Sequence, residues 1–308
     1  MLTRKNKHLL LKIASMLSVI RGYNIVVIAL AQYLAAIFIL SPRNQRALDV
    51  LVDFPLFMIV LISSFSIASG YIINNFYDSK KDLINRPNKS QLDRLVSQNT
   101  KLTVYFSLNL IAFLLSFFIS FRAVLFFSSY IFLIWFYSHK LKKIVIIGNL
   151  SAAFLAVLPF FAILLYYKNI YFEIFAHAIY LLLLLIVREL LKDLENLKGD
   201  VANDYKTIAV VYGEKYSKII ITVLTLFTIF PIYFLVEIVG VGYMDIYFYV
   251  SLMVLIFMLQ RLWKASNKTD YLALHNILKV LVVSGIICII LIEPEVLING
   301  RRLLKFYI

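Results

Sequence analysis

An acidic stretch at residues 74–82 follows a long apolar run and carries side chains that could bind a cation. Its Asn74, Asp78 and Asp82 are spaced four residues apart, so all three lie on one face of a helix. Carboxylates held so close together repel one another, and removing them from water is unfavourable unless a cation offsets their charge. The spacing therefore predicts a cation site at the end of a helix.

A second acidic stretch, at residues 188–200, closes another apolar run later in the chain. Asp193, Asn196 and Asp200 follow one another at steps of three and four residues, which again predicts one helical face. Gly199 is expected to break or bend that helix, which weakens the argument for Asp200. Two oxygen-rich faces would then end two apolar helices.

Oxygen ligands of this kind select a hard cation. Mg²⁺ and Ca²⁺ prefer carboxylate and amide oxygens, and Mg²⁺ usually takes only one or two carboxylates and leaves its other positions to water and substrate phosphate. We therefore interpret the paired faces as a clamp for a metal-bound diphosphate. The predicted Mg²⁺ ligands are Asn74, Asp78, Asp82, Asp193 and Asp200.

The composition requires membrane helices to position these stretches. Of the 308 residues, 62% are hydrophobic and 16% are charged, and the mean hydropathy is +0.87, which is too apolar for a soluble domain. Backbone groups in lipid must be satisfied within each segment, so we predict an all-α polytopic bundle, a single domain over residues 1–308, around a central cavity that opens near the cytoplasmic face. Nine apolar spans fit a hydrocarbon core of roughly 30 Å, at 23–40, 54–74, 102–119, 122–138, 144–166, 172–191, 217–238, 243–262 and 276–294.

The positive charge of the chain indicates its orientation rather than a nucleic-acid partner. There are 31 Lys and Arg residues against 17 Asp and Glu, and roughly three in four of the basic residues fall on one side of the predicted membrane. This predicts a multi-pass protein of the cell membrane, with the N-terminus in the cytoplasm and the bilayer as a partner. A basic lead-in at 1–22 and active-site loops at 75–101 and 188–216 would face the cytoplasm. In the first loop, Pro87 is expected to end the preceding helix at Arg86.

Several polar residues near the predicted cytoplasmic helix ends could contact a phosphate or a substrate head group. They are Arg21, Asn24, Tyr137, Lys142 and Lys206. Arg21 has an equally good interpretation as an interfacial anchor that reaches the lipid head groups. The two lysines could be present for topology alone, and Tyr137 could belong to an aromatic belt.

Taken together, these motifs resemble the UbiA superfamily of intramembrane prenyltransferases. The first motif of that family is N-D-x-x-D-x-x-x-D, and here it stands as Asn74-Asn75-Phe76-Tyr77-Asp78-Ser79-Lys80-Lys81-Asp82, with Asn75 where the family usually has aspartate. The second motif, at residues 192–200, looks like the branch of the family that acts on prenylglyceryl phosphate. Arg21-Gly22-Tyr23-Asn24 is also similar, with glycine where the family commonly has proline.

The resemblance implies a Mg²⁺-dependent enzyme that transfers a prenyl group, expected to be geranylgeranyl, from an allylic diphosphate donor to a lipophilic acceptor. The form of the second motif favours a prenylglyceryl phosphate ether lipid as acceptor, with an aromatic quinone precursor or a tetrapyrrole as the alternative. In that motif Glu195 and Asn196 are alternatives to Asp200 as ligands beside Asp193. The residues with implied catalytic roles are Asp78, Asp82, Asp193 and Asp200.

A cation transporter lined by these carboxylates is the alternative from another functional class. Transport sites normally place ionisable groups near the bilayer midplane. Here the interiors of the predicted spans carry few ionisable groups, and the acids gather at one face of the membrane. This distribution favours the enzyme. Metal-dependent release of diphosphate from a prenyl donor would distinguish the two.

Overall fold

The computed structural model describes residues 4–42 and 45–298. Within those residues the secondary structure is helical, and no strand occurs. The helices are α1 (Arg4–Val19), α2 (Gly22–Ala35, continued by a π-helical turn Ala36–Leu40), α3 (Ala47–Leu51), α4 (Phe54–Asn85), α5 (Pro87–Asp93), α6 (Gln98–Ser116), α7 (Phe121–His139, followed by a 3₁₀ turn Leu141–Lys143), α8 (Ile147–Tyr167), α9 (Phe172–Glu195), α10 (Leu197–Ala202), α11 (Ile208–Phe227), α12 (Ile229–Tyr233), α13 (Asp245–Lys264), α14 (Lys268–Cys288) and α15 (Glu295–Ile298).

Eight helical segments of the described chain are long and apolar enough to cross a membrane. They coincide with eight of the predicted spans and confirm a multi-pass, all-α membrane bundle. The ninth prediction, 102–119, lies on α6, which does not meet the same criterion because its first turn is polar and Asn109 interrupts its apolar face. The eight are Gly22–Leu40, Phe54–Asn85, Phe121–Lys143, Ile147–Tyr167, Phe172–Glu195, Ile208–Val239, Gly242–Lys264 and Lys268–Ile292.

The core divides into two apolar clusters that follow the order of the chain. One is formed mainly by α2, α4, α6, α7 and α8, and the other by α9, α11, α13 and α14. Helix α4 packs against α6 and α7, whereas α9 packs against α8, α11 and α14. The first acidic stretch therefore lies on the central helix of its half, and the second begins on the central helix of the other half.

Helix α4 continues well past its apolar part and carries the whole first acidic stretch. At 32 residues it is about 48 Å long, which exceeds a hydrocarbon core of roughly 30 Å. It ends with Arg86 as its C-cap, directly before Pro87, so the predicted end is confirmed. Within the segment 75–101, predicted to connect two spans on the cytoplasmic side, residues up to 85 continue α4 and most of the remainder forms α5 and the start of α6.

The second acidic stretch does not form one helix. Helix α9 ends at Glu195, and Asn196 has non-helical angles (φ −101°, ψ 11°) before α10 begins at Leu197. The prediction of one continuous helical face was therefore wrong, and the break falls at Asn196 rather than at Gly199. Helices α9, α10 and α11 occupy most of the predicted connecting segment 188–216.

Gly199 has a different role from the expected helix breaker. It lies inside α10, where its backbone N–H donates a hydrogen bond of 3.2 Å to Asn85 Oδ1 at the end of α4. A Cβ at this position would overlap the Asn85 side-chain amide, so a larger residue would displace that amide or α10. The contact brings the ends of the two acidic stretches together.

Candidate functional site

Asp78 is the meeting point of three elements. It lies on α4, is buried, and its Oδ1 accepts a hydrogen bond of 2.7 Å from Lys142 Nζ and one of 2.5 Å from Tyr205 Oη. Lys142 comes from the 3₁₀ turn after α7 and also donates to Asn74 Oδ1, at 3.1 Å. Tyr205 lies in the turn between α10 and α11. One carboxylate of the first motif is thus contacted by residues far from it in sequence.

Asp200 connects the second stretch to the first. Its side chain is fully buried, and Oδ1 forms an ion pair of 2.6 Å with Lys81 Nζ on α4. The same ammonium lies 4.2 Å from the centre of the Tyr205 ring, which favours a cation. Burial raises the pKa of Asp200, and the Lys81 ammonium opposes that shift. Burial and the nearby Asp78 carboxylate raise the pKa of the Tyr205 hydroxyl, so Tyr205 acts as a hydrogen-bond donor.

Asp193 is held from a third direction. Its Oδ2 accepts a hydrogen bond of 2.6 Å from Asn149 Nδ2 at the start of α8. Asp193 also acts electrostatically on Lys81 and on Tyr137, as Asp78 does. The two acidic stretches therefore form one cluster, which we call the acid cluster: Asn74, Asp78, Asp82, Asp193 and Asp200.

Asp82 lies one helical turn beyond Asp78 and is half-buried. The cations that act on it are Arg86, Lys89 and Arg21. Two of the predicted substrate contacts lie on this side of the site and meet at Tyr71. The Arg21 guanidinium is 4.9 Å from the centre of the Tyr71 ring, and Asn24 Nδ2 donates a 3.3 Å hydrogen bond to Tyr71 Oη.

Three residues proposed from the sequence do not contact the Asp78 or Asp200 carboxylates with their side chains. The Lys206 side chain is exposed, and the contact it makes with the site region is a backbone hydrogen bond of 3.2 Å to Lys143 O. Asn196 Nδ2 donates to the Lys192 carbonyl and so completes the end of α9. The Glu195 carboxylate pairs with His275 Nδ1 at 2.8 Å and with Arg86, the C-cap of α4, at 3.2 Å.

Three contacting residues were missing from the sequence candidates: Lys81, Asn149 and Tyr205. Lys81 could have been found, because it stands three residues after Asp78 inside the motif and so lies near the same helical face. Asn149 and Tyr205 carry only the weak signal of a polar residue next to a membrane span. Their partners are 44 and 127 residues away in the chain, a pairing that no local pattern encodes.

A second buried polar network joins Asn75 of α4 to side chains of α1, α5 and α6. Lys101 of α6 is only 2% exposed, and its Nζ donates to Asn75 Oδ1 at 2.9 Å. Asn75 Nδ2 in turn donates to Asp93 Oδ2 at 2.9 Å, and Ser18 Oγ donates to Asp93 Oδ1 at 2.8 Å. Burial lowers the pKa of Lys101, which Asp93 counteracts. An aspartate at position 75 would put two carboxylates within hydrogen-bond distance, which accounts for the asparagine found there.

The oxygen atoms of the acid cluster suit a hard cation. In the described part of the chain, no three His, Cys, Asp or Glu side chains lie close enough together to hold one metal ion. Asp200 Oδ2 is buried and accepts no hydrogen bond from the described residues. A buried carboxylate oxygen without a partner is costly, so this atom is suited to a ligand. One or two carboxylates with amide oxygen, water and phosphate is the set that Mg²⁺ prefers.

An apolar cavity of about 170 Å³ lies deeper in the bundle, between α2, α8, α9 and α14. Its lining on α9 runs from Ile174 to Leu184, so its nearest edge lies about 13 Å along that helix from Asp193 and its far edge about 28 Å. Phe160, Leu164 and Tyr180 are among its other walls. The bundle thus offers a charged end and, below it, an apolar space.

Comparison with known sequences identifies a family and relatives of this chain. The sequence model of the UbiA prenyltransferase family matches residues 25–280. A digeranylgeranylglyceryl phosphate synthase of Methanobrevibacter smithii is 30% identical over 251 residues, which covers 78% of this chain and 83% of that protein. The corresponding synthase of Sulfurisphaera tokodaii is 30% identical over 209 residues, covering 64% and 74%.

Solved structures share the fold. One described as digeranylgeranylglyceryl phosphate synthase in membranes has a TM-score of 0.68 at 21% identity and covers 91% of this chain and 97% of its own. A UbiA homologue from Archaeoglobus fulgidus bound to GPP and Mg²⁺ has a TM-score of 0.63 at 14% identity, covering 89% and 99%. At these identities the likeness establishes the architecture, not the chemistry of particular residues.

Proposed function

This chain belongs to the UbiA prenyltransferase family, and from that membership we propose that it transfers a geranylgeranyl group from an allylic diphosphate to a prenylglyceryl phosphate. That it is a membrane-embedded prenyltransferase follows from the family. The donor, the acceptor, the metal and the site residues are the proposal. We further propose that the acid cluster faces the cytoplasm, as the distribution of basic residues predicts.

The observation that carries the proposal is that the two acidic stretches meet: Lys81 of the first pairs with Asp200, and Tyr205, which follows α10, donates to Asp78 beside Lys142. These three donors reach Asp78 and Asp200 from separate elements. Such a group of carboxylates and cations, buried at the end of an apolar bundle, is suited to a polyanionic head group that enters with a metal ion. Asp200 Oδ2 is buried and accepts no hydrogen bond from the described residues, so it is available to a ligand.

The residues that would hold Mg²⁺ are the predicted ligands of the acid cluster, and their donor atoms fit that ion. When bound, Mg²⁺ would neutralise the negative charge that develops on the departing diphosphate. No three acidic, His or Cys side chains of the described residues converge on one point, and Mg²⁺ needs only one or two carboxylates when phosphate oxygens and water fill its other positions. A solved homologue of the same fold is bound to GPP and Mg²⁺, which supports the choice of metal rather than the choice of individual ligands.

The residues of the chain have separate tasks in the proposed reaction. The Lys142 and Lys81 ammonium groups offset charge on the diphosphate while the bond between C1 of the prenyl group and the diphosphate oxygen breaks. The acceptor hydroxyl oxygen then forms a bond to C1, and its proton passes to the released diphosphate. The apolar walls exclude water from the allylic cation, and the cavity beside Leu184 and Tyr180 is available for part of the prenyl chain.

The acceptor assignment is supported by the curated relatives, which are named digeranylgeranylglyceryl phosphate synthase. We test it with purified protein in lipid nanodiscs, supplied with Mg²⁺, geranylgeranyl diphosphate and one acceptor at a time. The acceptors are geranylgeranylglyceryl phosphate and a hydroxybenzoate, and products are identified by mass spectrometry. We expect the diether phosphate product, its loss on chelation of Mg²⁺, and its formation at a rate about 10²- to 10³-fold lower by the Asp78→Asn variant.

Product from hydroxybenzoate alone would contradict the proposed acceptor and leave the family assignment intact. Transfer that continues at full rate in excess chelator would contradict the metal. As a matched control, Asp49→Asn changes a carboxylate that pairs with Arg46 elsewhere in the chain. That variant should retain wild-type turnover.

A further inference from the structure

Helix α1 precedes the first membrane span and has no task in the proposed reaction. Two serines hold it to the bundle. Ser15 is fully buried, and its Oγ donates a hydrogen bond of 2.8 Å to the Leu92 carbonyl. Ser18 Oγ donates a hydrogen bond of the same length to Asp93 Oδ1. The face of α1 that carries the serines is therefore docked on α5, at the end of the bundle where α4 carries the first acidic stretch.

The opposite face of α1 is apolar and open. Leu10, Ile13 and Leu17 follow one another at steps of three and four residues, so they form one stripe along the helix. Their exposed fractions are 50%, 48% and 53%. Ser15 is two positions from both Ile13 and Leu17, which is about 200° around the helix. The stripe therefore points away from α5, which we take as the defining feature of α1.

This stripe lies at the level where the first membrane span begins. Helix α1 ends at Val19, and the first membrane-crossing segment begins at Gly22. Between them Arg21 has φ 51° and ψ 54°, which interrupts the helix and changes the direction of the chain. A Cβ at Gly22 would lie 3.6 Å from Leu17 Cδ2. One end of the stripe thus lies against the first turn of the span, at the boundary of the hydrocarbon.

The charge of the same segment is of one sign. Residues 1–22 contain five Lys and Arg and no Asp or Glu, and the first acidic residue of the chain is Asp49. A helix that combines an apolar stripe with an excess of Lys and Arg is suited to the plane of the membrane interface. Its apolar side chains enter the acyl boundary, and its cations are attracted by anionic head groups.

A second copy of this chain is a poorer occupant of the stripe. Stable protein interfaces bury at least about 1,200 Å² of surface, far more than three aliphatic side chains provide. Two copies of α1 placed face to face would also bring together two segments that carry only positive charge. The bilayer satisfies both the apolar stripe and the cations.

We propose that α1 is an interfacial helix held between α5 and the leaflet on the side of the acid cluster. Leu10, Ile13 and Leu17 insert at the acyl boundary, and the basic residues of the segment bind anionic phospholipid head groups. The leaflet thereby supports the hydrogen bond from Ser18 to Asp93, the carboxylate that also accepts from Asn75 of α4. This surface is separate from the acid cluster and does not depend on the proposed reaction.

The test measures the depth of α1 in the full-length protein in nanodiscs. In a Cys288→Ser background, which removes the one native cysteine, Leu10→Cys, Ile13→Cys and Lys12→Cys are each labelled with a fluorophore. Phospholipids brominated on the acyl chains quench a label in the bilayer, and iodide quenches one in water. Lys12 is the matched control, since it is exposed and lies about 100° around the helix from Ile13.

We expect brominated lipid to quench the labels at positions 10 and 13 at least about threefold more than the label at 12, and iodide to do the reverse. Two stripe positions and a thermal melt of each variant separate misfolding from a change of depth. Equal quenching at positions 12 and 13 would overturn the proposal. A label at 13 shielded from both quenchers would also overturn it, because a second copy or another protein would then cover the stripe.

A second comparison tests the anionic lipid. Nanodiscs of phosphatidylcholine are compared with nanodiscs that contain roughly one third phosphatidylglycerol. Quenching at position 13 by brominated lipid should be greater in the anionic nanodiscs, and the difference should disappear in about 1 M salt, where the Debye length is about 3 Å. Lys12→Gln should weaken that preference by up to about fivefold. No preference for anionic lipid would overturn this assignment. Since prenyl transfer is not measured, either failure leaves the proposed function standing.

Discussion

The two acidic stretches carry similar side chains but are held by different backbones. The first lies on one uninterrupted helix, where the helical period alone aligns Asn74, Asp78 and Asp82. The second is divided at Asn196 between α9 and α10, so Asp193 and Asp200 belong to different helices. The first face is therefore a local property of the chain, and the second exists only because α10 packs against α4.

This difference indicates which contacts keep each acidic stretch in the position that the proposed reaction needs. The first stretch depends on keeping α4 in one rotational setting, which the network behind it secures through Lys101 and Asn75. The second depends on the close approach of Gly199 to Asn85. The following variants test that distinction, beginning with the largest expected effect.

Removing one carboxylate charge from either acidic stretch should have the largest effect on the transfer rate. Asp78→Asn and Asp200→Asn keep the side-chain shape, and each leaves a buried lysine without its partner. We expect the transfer rate to fall about 10²- to 10³-fold in each, the scale for a missing electrostatic contact at a reacting group. Turnover in nanodiscs measures this. Loss in one variant but near-normal rate in the other would show that the two stretches do not act on one substrate.

Gly199→Ala should displace the second acidic stretch and leave the first in place. The new Cβ would overlap the Asn85 side-chain amide, so that amide or α10 must move, with an expected cost of about 1–3 kcal/mol in the free energy of unfolding. Activity should fall about tenfold, since small displacements of a positioned group are costly. Melting temperature and turnover measure the two effects. Lys198→Ala, exposed on the same helix, is the control and should behave as wild type.

Asn85→Ala offers a second measurement of the same contact. Combined with Gly199→Ala it removes the obstructing side chain, so the double variant should regain part of the activity that Gly199→Ala loses. No recovery would indicate that α10 is positioned by other contacts and would weaken the contrast between the two halves.

The buried network of Asn75 and Asp93 should tolerate one carboxylate, at either position, but not two. Asn75→Asp would put a carboxylate within hydrogen-bond distance of Asp93, and we expect about a tenfold loss of activity from the repulsion. The double variant Asn75→Asp with Asp93→Asn moves the charge without adding one, and turnover should return to within about threefold of wild type. If the double variant is no better than the single one, the network does not set the position of α4 by its charge.

Glu195→Gln should have the smallest effect on transfer. Glu195 lies between Asp193 and Asp200 in sequence, but its carboxylate faces His275 and an arginine of α4. We expect stability to fall by about 1–3 kcal/mol as charge-assisted hydrogen bonds weaken, while turnover of the folded protein changes less than about threefold. A loss as large as that of Asp200→Asn would mean that Glu195 binds the substrate or its metal.

Much of the architecture could be predicted from the sequence, because it depends on neighbouring residues. Apolar runs predicted eight of the membrane spans, and Pro87 predicted where α4 ends. Errors arose where distant residues decide the outcome. The break at Asn196 and the burial of Lys101 result from packing with other helices. The assignment of Mg²⁺ ligands and phosphate contacts to individual residues stays a prediction.

By itself, the sequence determined that this chain is a membrane bundle with two acidic stretches at helix ends, since hydrophobicity and helical period are properties of consecutive residues. Only the tertiary structure decided which partners the acids have. The contacts of Asp78 with Lys142 and Tyr205 join residues 64 and 127 positions apart. Their energy is gained only after the helices have packed and excluded water, so it leaves no periodic trace in the chain.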